Sequence, residues 1–188
     1  MKRDLISSAL AIVVLTVVLG LAYPLVITGI AQVAWPSRSD GSRSLLAEPR
    51  LDGRKPDPRY FQPRPSQDDY DPTATAFANR GPNQRSAKRF YSEQLKAYLA
   101  LEQPYDSALT ASRVPVDAVT DSASGVDPHI SRDNAEIQAK RVARVRGLPL
   151  DQVQQLIDDN TDGRFLGFVG ESGVNVTELN LALDGVTR

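Results

Sequence analysis

One loop of small and polar residues carries the side chains best suited to chemistry. It runs Ser122-Ala-Ser-Gly-Val-Asp-Pro-His129 and leads towards a helix start at Ser131. Backbone amides and hydroxyls before a helix N-terminus can hold a phosphate, because unpaired N–H groups and the helix dipole point that way. The loop lacks the glycines and the lysine of a P-loop. A tight turn fixed by Gly125 and Pro128 is therefore favoured over a phosphate site.

Nucleophilic catalysis would have to use Ser124 with His129, since the chain has one histidine and no cysteine. Ser124 does not stand in a G-x-S-x-G sequence, and no S-x-x-K occurs in the chain. The residues therefore disfavour an enzyme that is active by itself, and we predict no catalytic residue. A membrane-anchored hydrolase outside the cell is the alternative function.

A calcium loop is the third chemical possibility. Asp158-x-Asn160-x-Asp162-Gly163 matches the first half of such a loop, which needs a bidentate glutamate at its twelfth position. That position is Val169, and Glu171 comes two residues too late. A polar turn after a helix is favoured, and we predict no metal site.

The elements around these loops begin with a membrane anchor. The chain has 188 residues, which is enough for one domain and an appendage, and 33 consecutive residues between Asp4 and Arg38 carry no charge. About 20 apolar residues cross a bilayer as a helix. We predict an anchor over 1–35 with a transmembrane helix over about 6–30, kinked or ended by Pro24. A signal peptide is the alternative, but its apolar part spans only about 7–15 residues.

The charged residues predict the cellular location of the chain and its orientation in the membrane. Lys2 and Arg3 favour a cytoplasmic N-terminus, so we expect a single-pass protein of the cell membrane with its soluble domain outside. The lipid bilayer is then one partner. The net charge of −1 and the absence of a basic stripe argue against nucleic acid as another.

A proline-rich connector over 36–82 and a soluble domain over 83–188 follow the anchor. The connector holds eight of the thirteen prolines together with several aromatic residues, so we expect ordered, irregular structure packed on a neighbour. Periodicity and capping residues predict an α+β fold for the soluble domain. We predict helices from Ser86 to about Glu102, from Ser131 to Arg146, from about Asp151, and from Asn175 to Gly185, with an edge strand or an extended entry over 114–120 and a short strand over 165–169.

An ordered series of motifs adds a resemblance that covers nearly the whole chain. The chain resembles KdpC, the C-subunit family of the bacterial potassium-transporting P-type ATPase. The motifs that carry the resemblance are Gly20-Leu-Ala-Tyr-Pro-Leu-Val-Ile-Thr-Gly29, Tyr60-Phe61-x-x-Arg64-Pro-Ser66, Tyr70-Asp-Pro72, Val114-Pro-Val-Asp117, Val119-Thr-x-Ser-Ala-Ser-Gly-Val-Asp-Pro-His-Ile-Ser131, Gln138-x-x-Arg-Val-Ala143 and Val174-Asn-Val-x-Glu-Leu-Asn-Leu-Ala-Leu-Asp184.

The resemblance implies an accessory subunit of an ATP-driven potassium uptake complex. Its partners would be a potassium-channel-like subunit and an ATP-hydrolysing subunit. The family has been described as a catalytic chaperone that raises the ATP affinity of the pump, with no firmly bound cofactor of its own. By resemblance, Ser122, Ser124, Gly125 and Gln138 would be the nucleotide-related residues. A domain outside the cell does not reach cytoplasmic ATP, so any effect of such a domain on ATP would be allosteric.

The connector departs from the family pattern at residues 43–48 and 75–79. Thr75-Ala-Phe-Ala-Asn79 replaces a Ser-Gly-Gly-Ser-Asn run, which removes two glycines and their freedom to adopt positive φ. Arg43-Ser-Leu-Leu-Ala-Glu48 is a reduced form of another family stretch, and Pro63 replaces a glycine. These changes bear on how the connector meets a partner.

Overall fold

The computed structural model describes residues 2–39, 46–53, 55–74, 79–81 and 83–186. The chain divides into two units, Met1–Ser42 and Arg43–Arg188. Of the two stretches where the connector departs from the family pattern, 43–48 and 75–79, residues 43–45 and 75–78 lie outside the described residues.

The first unit is a continuous helix over Lys2–Ala34, followed by one further helical turn. It consists of α1 (Lys2–Val17), a π-helical turn (Val18–Ala22) and α2 (Tyr23–Ala34), and α3 is Pro36–Ser39. Its 33 residues span about 50 Å, more than the roughly 30 Å of a bilayer core, and none is buried within the protein. The helix therefore does not end at Pro24. Instead, the wider π turn ends two residues before this proline, which has no N–H to donate.

The second unit is a small mixed domain, as the sequence predicts. Helices α5, α6 and α7 pack against a three-stranded antiparallel sheet of order β3-β5-β4. In the register, Val174 lies between Ile130 on one side and Thr161 on the other. The elements are β1 (Leu51–Asp52), β2 (Lys55–Pro56), α4 (Arg85–Glu102), 3₁₀ turns at Ala111–Arg113 and Val116–Ala118, β3 (His129–Ile130), α5 (Arg132–Arg146), α6 (Leu150–Asp159), β4 (Thr161–Asp162), β5 (Gly173–Asn175) and α7 (Val176–Val186).

The helix ends follow the capping residues. The Ser131 hydroxyl accepts a hydrogen bond from the Asn134 amide at the start of α5, and Gly147 ends α5 with φ +68°. At the start of α7, the Asn175 side-chain oxygen accepts hydrogen bonds from the amides of Thr177 and Glu178. These caps confirm the predicted starts at Ser131 and Asn175.

The edge strand predicted over 114–120 is wrong, although Val114 and Pro115 are extended. Val116–Ala118 forms a 3₁₀ turn in which Val116 is 73% exposed and Ala118 is buried. The Asp117 carboxylate turns back instead to accept hydrogen bonds from the Ser131 amide and hydroxyl and from the Asn134 side chain. Polar pairing of Asp117 with the start of α5 thus overrides the strand preference of the valines.

The predicted strand over 165–169 is also wrong. The segment is the tip of the hairpin that joins β4 to β5 and is closed by paired backbone hydrogen bonds between Phe165 and Val169. Leu166 and Gly167 both have positive φ, at +54° and +83°, which reverses the chain. The apolar run therefore turns in solvent rather than crossing the core.

The core of the domain includes one aromatic ring from the connector. Phe61 is fully buried, although it lies in an irregular segment. The Asn180 side chain on α7 holds the Phe61 backbone by accepting from its N–H at 3.0 Å and donating to its C=O at 2.9 Å. Around Phe61 the core consists of Ile130, Ala135, Ala139, Val142, Ala143, Val153, Ile157, Val174, Val176, Leu179 and Leu183.

We predict that Asn180→Ala destabilises the domain. The change leaves the Phe61 N–H and C=O without a partner among packed side chains, which costs about 2 kcal/mol or more. Thermal or urea unfolding of the full chain in mild detergent measures the loss. Gln155→Ala, which removes an exposed amide on α6, is the matched control and should change stability by less than about 0.5 kcal/mol. Equal effects of the two variants would contradict the role of Asn180.

Candidate functional site

Gln138 lies inside the domain on α5, with 2% of its surface exposed. Its side-chain oxygen accepts hydrogen bonds from the Gln62 amide at 2.8 Å and from Arg141 at 3.0 Å. Its side-chain nitrogen donates to the Gln62 carbonyl at 3.1 Å and to Asn134 at 3.0 Å. These four bonds use the full donor and acceptor capacity of the amide. Contact between Gln138 and a nucleotide stays a prediction.

Arg141, one turn further along α5, is fully buried. It donates to the carbonyls of Pro58 at 2.6 Å and Tyr60 at 2.9 Å, and to the Glu102 carboxylate at 2.9 Å. Burial raises the pKa of Glu102, and the neighbouring Arg141 charge opposes this shift. We call the side chains of Gln138, Arg141 and Asn180 the side-chain clamp, because together they bind the backbone of residues 58–62.

Sequence reasoning missed most of the clamp. The motif Gln138-x-x-Arg141 places both side chains about one helical turn apart, so they share a face of α5. Arg141 lies on α5 next to the face that holds Ala135 and Val142, and an arginine this close to core residues is a signal for a polar partner. The identity of that partner, a proline-rich backbone about 80 residues earlier, is not readable from the spacing.

The loop Ser122–Gly125 forms a tight turn. The Gly125 amide donates to the Ser122 carbonyl at 3.2 Å, and the hydroxyls of Ser122 and Ser124 lie 3.2 Å apart. Gly125 has φ +74°, and a Cβ at this position would overlap a carboxylate oxygen of Asp68. The Asp68 carboxylate therefore lies directly over the loop. A phosphate approaching this place would meet a like charge.

The connector holds this loop from the other side. The Ser122 amide donates to the Pro65 carbonyl at 2.9 Å, and Arg64 donates to the Asp121 carbonyl at 2.9 Å. The Tyr70 hydroxyl in turn donates to the Arg64 carbonyl at 2.8 Å, and burial raises the pKa of Tyr70 to about 12. The Ser122–Gly125 loop and Gln138 thus bind neighbouring parts of one segment, although no hydrogen bond joins them among the described residues.

His129 bridges two carboxylates. Its Nδ1 lies 3.1 Å from Asp127 and its Nε2 lies 2.9 Å from Asp162, which links β3 to β4. Hydrogen bonds to Asp127 and then to Asp162 raise the pKa of His129 to about 9, so the imidazole is charged at neutral pH. An imidazolium with both nitrogens paired has no lone pair with which to activate a nucleophile. In the part of the chain that the structure describes, no hydrogen bond joins His129 to Ser124.

The residues of the possible calcium loop have other partners. Asp158 forms an ion pair with Arg132, and Asp162 binds His129. The Asn160 side chain donates to the Leu156 carbonyl at 2.8 Å and so caps the end of α6. The sequence Asp158-x-Asn160-x-Asp162 accordingly stabilises a helix-to-strand turn.

Among the described residues, one apolar helix is long enough to span a membrane and is followed by a small α+β domain, which fits a membrane-anchored protein. The family model described as "K+-transporting ATPase, c chain" (KdpC) matches residues 5–185. The chain belongs to this family of potassium-transporting ATPase subunits.

Curated relatives match the chain over nearly its full length. The protein named "Potassium-transporting ATPase KdpC subunit" from Mycobacterium tuberculosis strain H37Rv is 39% identical, with 98% of this chain and 99% of the relative covered. Those of the same name from Koribacter versatilis and Rhodopseudomonas palustris strain BisB5 are 43% and 39% identical. The alignment covers 98% of this chain and 96% of the relative for the first, and all of both chains for the second.

We predict that Gly125→Ala destabilises the domain more than Gly147→Ala does. Both glycines have φ near +70°, so both variants suffer the backbone cost of about 1 kcal/mol. Only at Gly125 does the added methyl group collide with Asp68, whereas nothing lies within 4 Å at Gly147. Unfolding of the full-length variants should show an additional loss of about 1–2 kcal/mol for Gly125→Ala. Asp68→Ala should reverse that additional loss, and no reversal would contradict the close approach.

We predict that His129 stabilises the domain below neutral pH and ceases to do so as the pH rises. Below about pH 6.5 the imidazole is protonated in both the folded and the unfolded chain, so its ion pairs contribute fully. Between pH 6.5 and 9 the unfolded chain releases the proton first, and the contribution falls. Unfolding of the wild type and His129→Gln should differ by about 1 kcal/mol at pH 6, a value reduced for solvent exposure. The difference should vanish near pH 10, and a constant difference from pH 6 to 10 would contradict this assignment.

Proposed function

We propose that the chain is a non-catalytic accessory subunit of an ATP-driven potassium uptake complex and that it stabilises the assembly. The observation that carries this proposal is the match to the c-chain family over residues 5–185. The charged, doubly paired state of His129 is consistent with a module that performs no hydrolysis of its own. The proposed partners are the potassium-channel-like subunit and the ATP-hydrolysing subunit of the same pump.

The anchor and the domain suit different parts of this role. In our proposal the apolar helix Lys2–Ala34 lies in the cell membrane, with Lys2 and Arg3 on the cytoplasmic side and the domain outside. A tether of this kind keeps the domain at a high local concentration next to its membrane partners. The side-chain clamp fixes residues 58–62 on the domain, so that a partner meets a preorganised surface.

We further propose that the chain raises the ATP affinity of the pump allosterically. For direct contact, Gln138 would have to exchange four internal hydrogen bonds for contacts with ATP, and Asp68 would repel phosphate from the Ser122–Gly125 loop. An allosteric effect needs only a contact with a second subunit, and this contact must differ between two states of the pump. It requires neither the loss of the Gln138 hydrogen bonds nor the approach of phosphate to Asp68. Coupling of this kind typically amounts to about 1–3 kcal/mol, or roughly 5–150-fold in affinity.

The test compares the pump purified with and without this chain. The tagged full chain should retain two large membrane subunits in mild detergent, and its presence should lower the KM for ATP of potassium-stimulated hydrolysis at least fivefold. Ser124→Ala, which removes an exposed loop hydroxyl, should leave that KM unchanged. A rise in KM for this variant, with its fold and assembly intact, would favour direct nucleotide contact. Recovery of the tagged chain without large subunits, or hydrolytic turnover by the chain alone, would contradict the accessory role.

A further inference from the structure

The hairpin between β4 and β5 exposes four large apolar side chains that the core does not use. Three of them are more exposed than most apolar side chains of the domain, at 68% for Phe165, 72% for Leu166 and 73% for Phe168, and Val169 is 48% exposed. We call these four residues the apolar tip. Their exposure to water is unfavourable in the isolated chain, because removing apolar surface from water lowers the free energy.

The apolar tip has a fixed shape without help from its side chains. Phe165 and Val169 each donate a backbone hydrogen bond of 2.9 Å to the other, and the Gly167 amide donates to the Arg164 carbonyl at 3.0 Å. Leu166 adopts φ +54°, a conformation that is unfavourable for a branched residue. Such conformations concentrate at functional sites, where the surrounding structure maintains them. Preorganised aromatic side chains of this kind are typical of the central residues of a protein interface.

Charge around the hairpin distinguishes a protein partner from a lipid surface. Between residues 158 and 171 the chain has four acidic residues and one basic residue, Arg164. Two of the four, Asp158 and Asp162, are paired with Arg132 and His129, so the charge argument rests on Asp159 and Glu171. Asp159 and Glu171 are exposed on either side of the apolar tip. Segments that bind anionic lipid headgroups are instead flanked by lysine and arginine. An apolar segment preceded and followed in the sequence by exposed acidic residues matches a protein interface better than a lipid contact and calls for basic residues on the partner.

The size of the apolar tip indicates what kind of interface it joins. Four partly exposed side chains offer roughly 400 Å² of apolar surface. A stable interface buries about 800 Å² on each partner. The tip therefore fits one contact within a larger interface.

We propose that the apolar tip docks into an apolar hollow with a basic rim on one of the two large subunits of the potassium pump. This inference rests on the proposed function, since it requires those subunits as partners. The docked aromatic rings exclude water, and Asp159 and Glu171 orient the domain against the basic rim.

The test is co-purification of the two large subunits with the tagged full chain carrying Phe168→Asp. The matched control is Val116→Asp, since Val116 has the same 73% exposure but lies in a separate 3₁₀ turn. Phe168→Asp should lower recovery of the large subunits at least tenfold, whereas Val116→Asp should match the wild type. Both variants should unfold at the wild-type temperature, because neither side chain belongs to the core.

Recovery with Phe168→Asp equal to that of the wild type would overturn docking at the apolar tip while leaving the accessory role intact. Failure of the wild-type chain itself to retain the large subunits would overturn the proposed function and, with it, this inference.

A second measurement separates a protein hollow from lipid. A chain with Trp35→Phe and Phe168→Trp carries its single tryptophan at the apolar tip. In the assembled complex, its fluorescence should resist both aqueous iodide and brominated lipid. Val116→Trp in the same Trp35→Phe background is the control and should be quenched by iodide. Quenching of the tryptophan at position 168 by brominated lipid would overturn the proposal in favour of a membrane contact, and quenching by iodide would overturn it in favour of free solvent.

Discussion

The fold depends on satisfying the backbone polar groups of a segment that forms no regular structure. Residues 58–62 lie in proline-rich sequence without a strand partner for their N–H and C=O groups, and only the Phe61 side chain of this segment belongs to the core. A buried and unpaired backbone group costs about as much as a lost hydrogen bond. Gln138, Arg141 and Asn180 supply the missing partners from two helices, and this allows Phe61 to enter the core.

The contacts of Arg141 with this segment also place an ion pair inside the domain. Arg141 and Glu102 are both almost fully buried, so each charge has left water. The attraction between two such charges often only offsets their desolvation, whereas removal of one partner leaves a costly unpaired charge. Arg141 does more than form an ion pair with Glu102, because its remaining N–H groups bind backbone carbonyls and Gln138. The arginine thereby joins α4, α5 and the connector at one point.

Local signals predicted the helices well and the strands poorly. Ser131, Gly147 and Asn175 act on backbone groups within a few residues, so their effect is visible in the sequence. The valines of 114–120 and the apolar run of 165–169 favour a strand only if a neighbouring strand is present, and here neither segment has one. The actual strands β3, β4 and β5 are two or three residues long, which is too short for alternation to be seen.

In the candidate site, too, the local features were predictable from the sequence and the long-range contacts were not. A tight turn at Gly125 was readable from the small residues around it, but the carboxylate over that turn comes from Asp68, which lies 57 residues earlier. The role of Gln138 was inferred from the family resemblance alone, and two of its four hydrogen bonds join it to Gln62, 76 residues earlier. Its burial at 2% exposed therefore had no local signal.

Phe61 and Gln62 are far along the sequence from the side chains that bind them, and this separation affects the order of folding. Asn180 lies 119 residues after Phe61, and Gln138 lies 76 residues after Gln62. Contacts between such distant positions form late, because closing a long loop loses entropy before any contact compensates. During synthesis from the N-terminus, Phe61 leaves the ribosome well before α7 exists. The connector therefore cannot pack until nearly the whole domain has emerged. Its aromatic rings stay exposed during that interval, and chaperones can bind them.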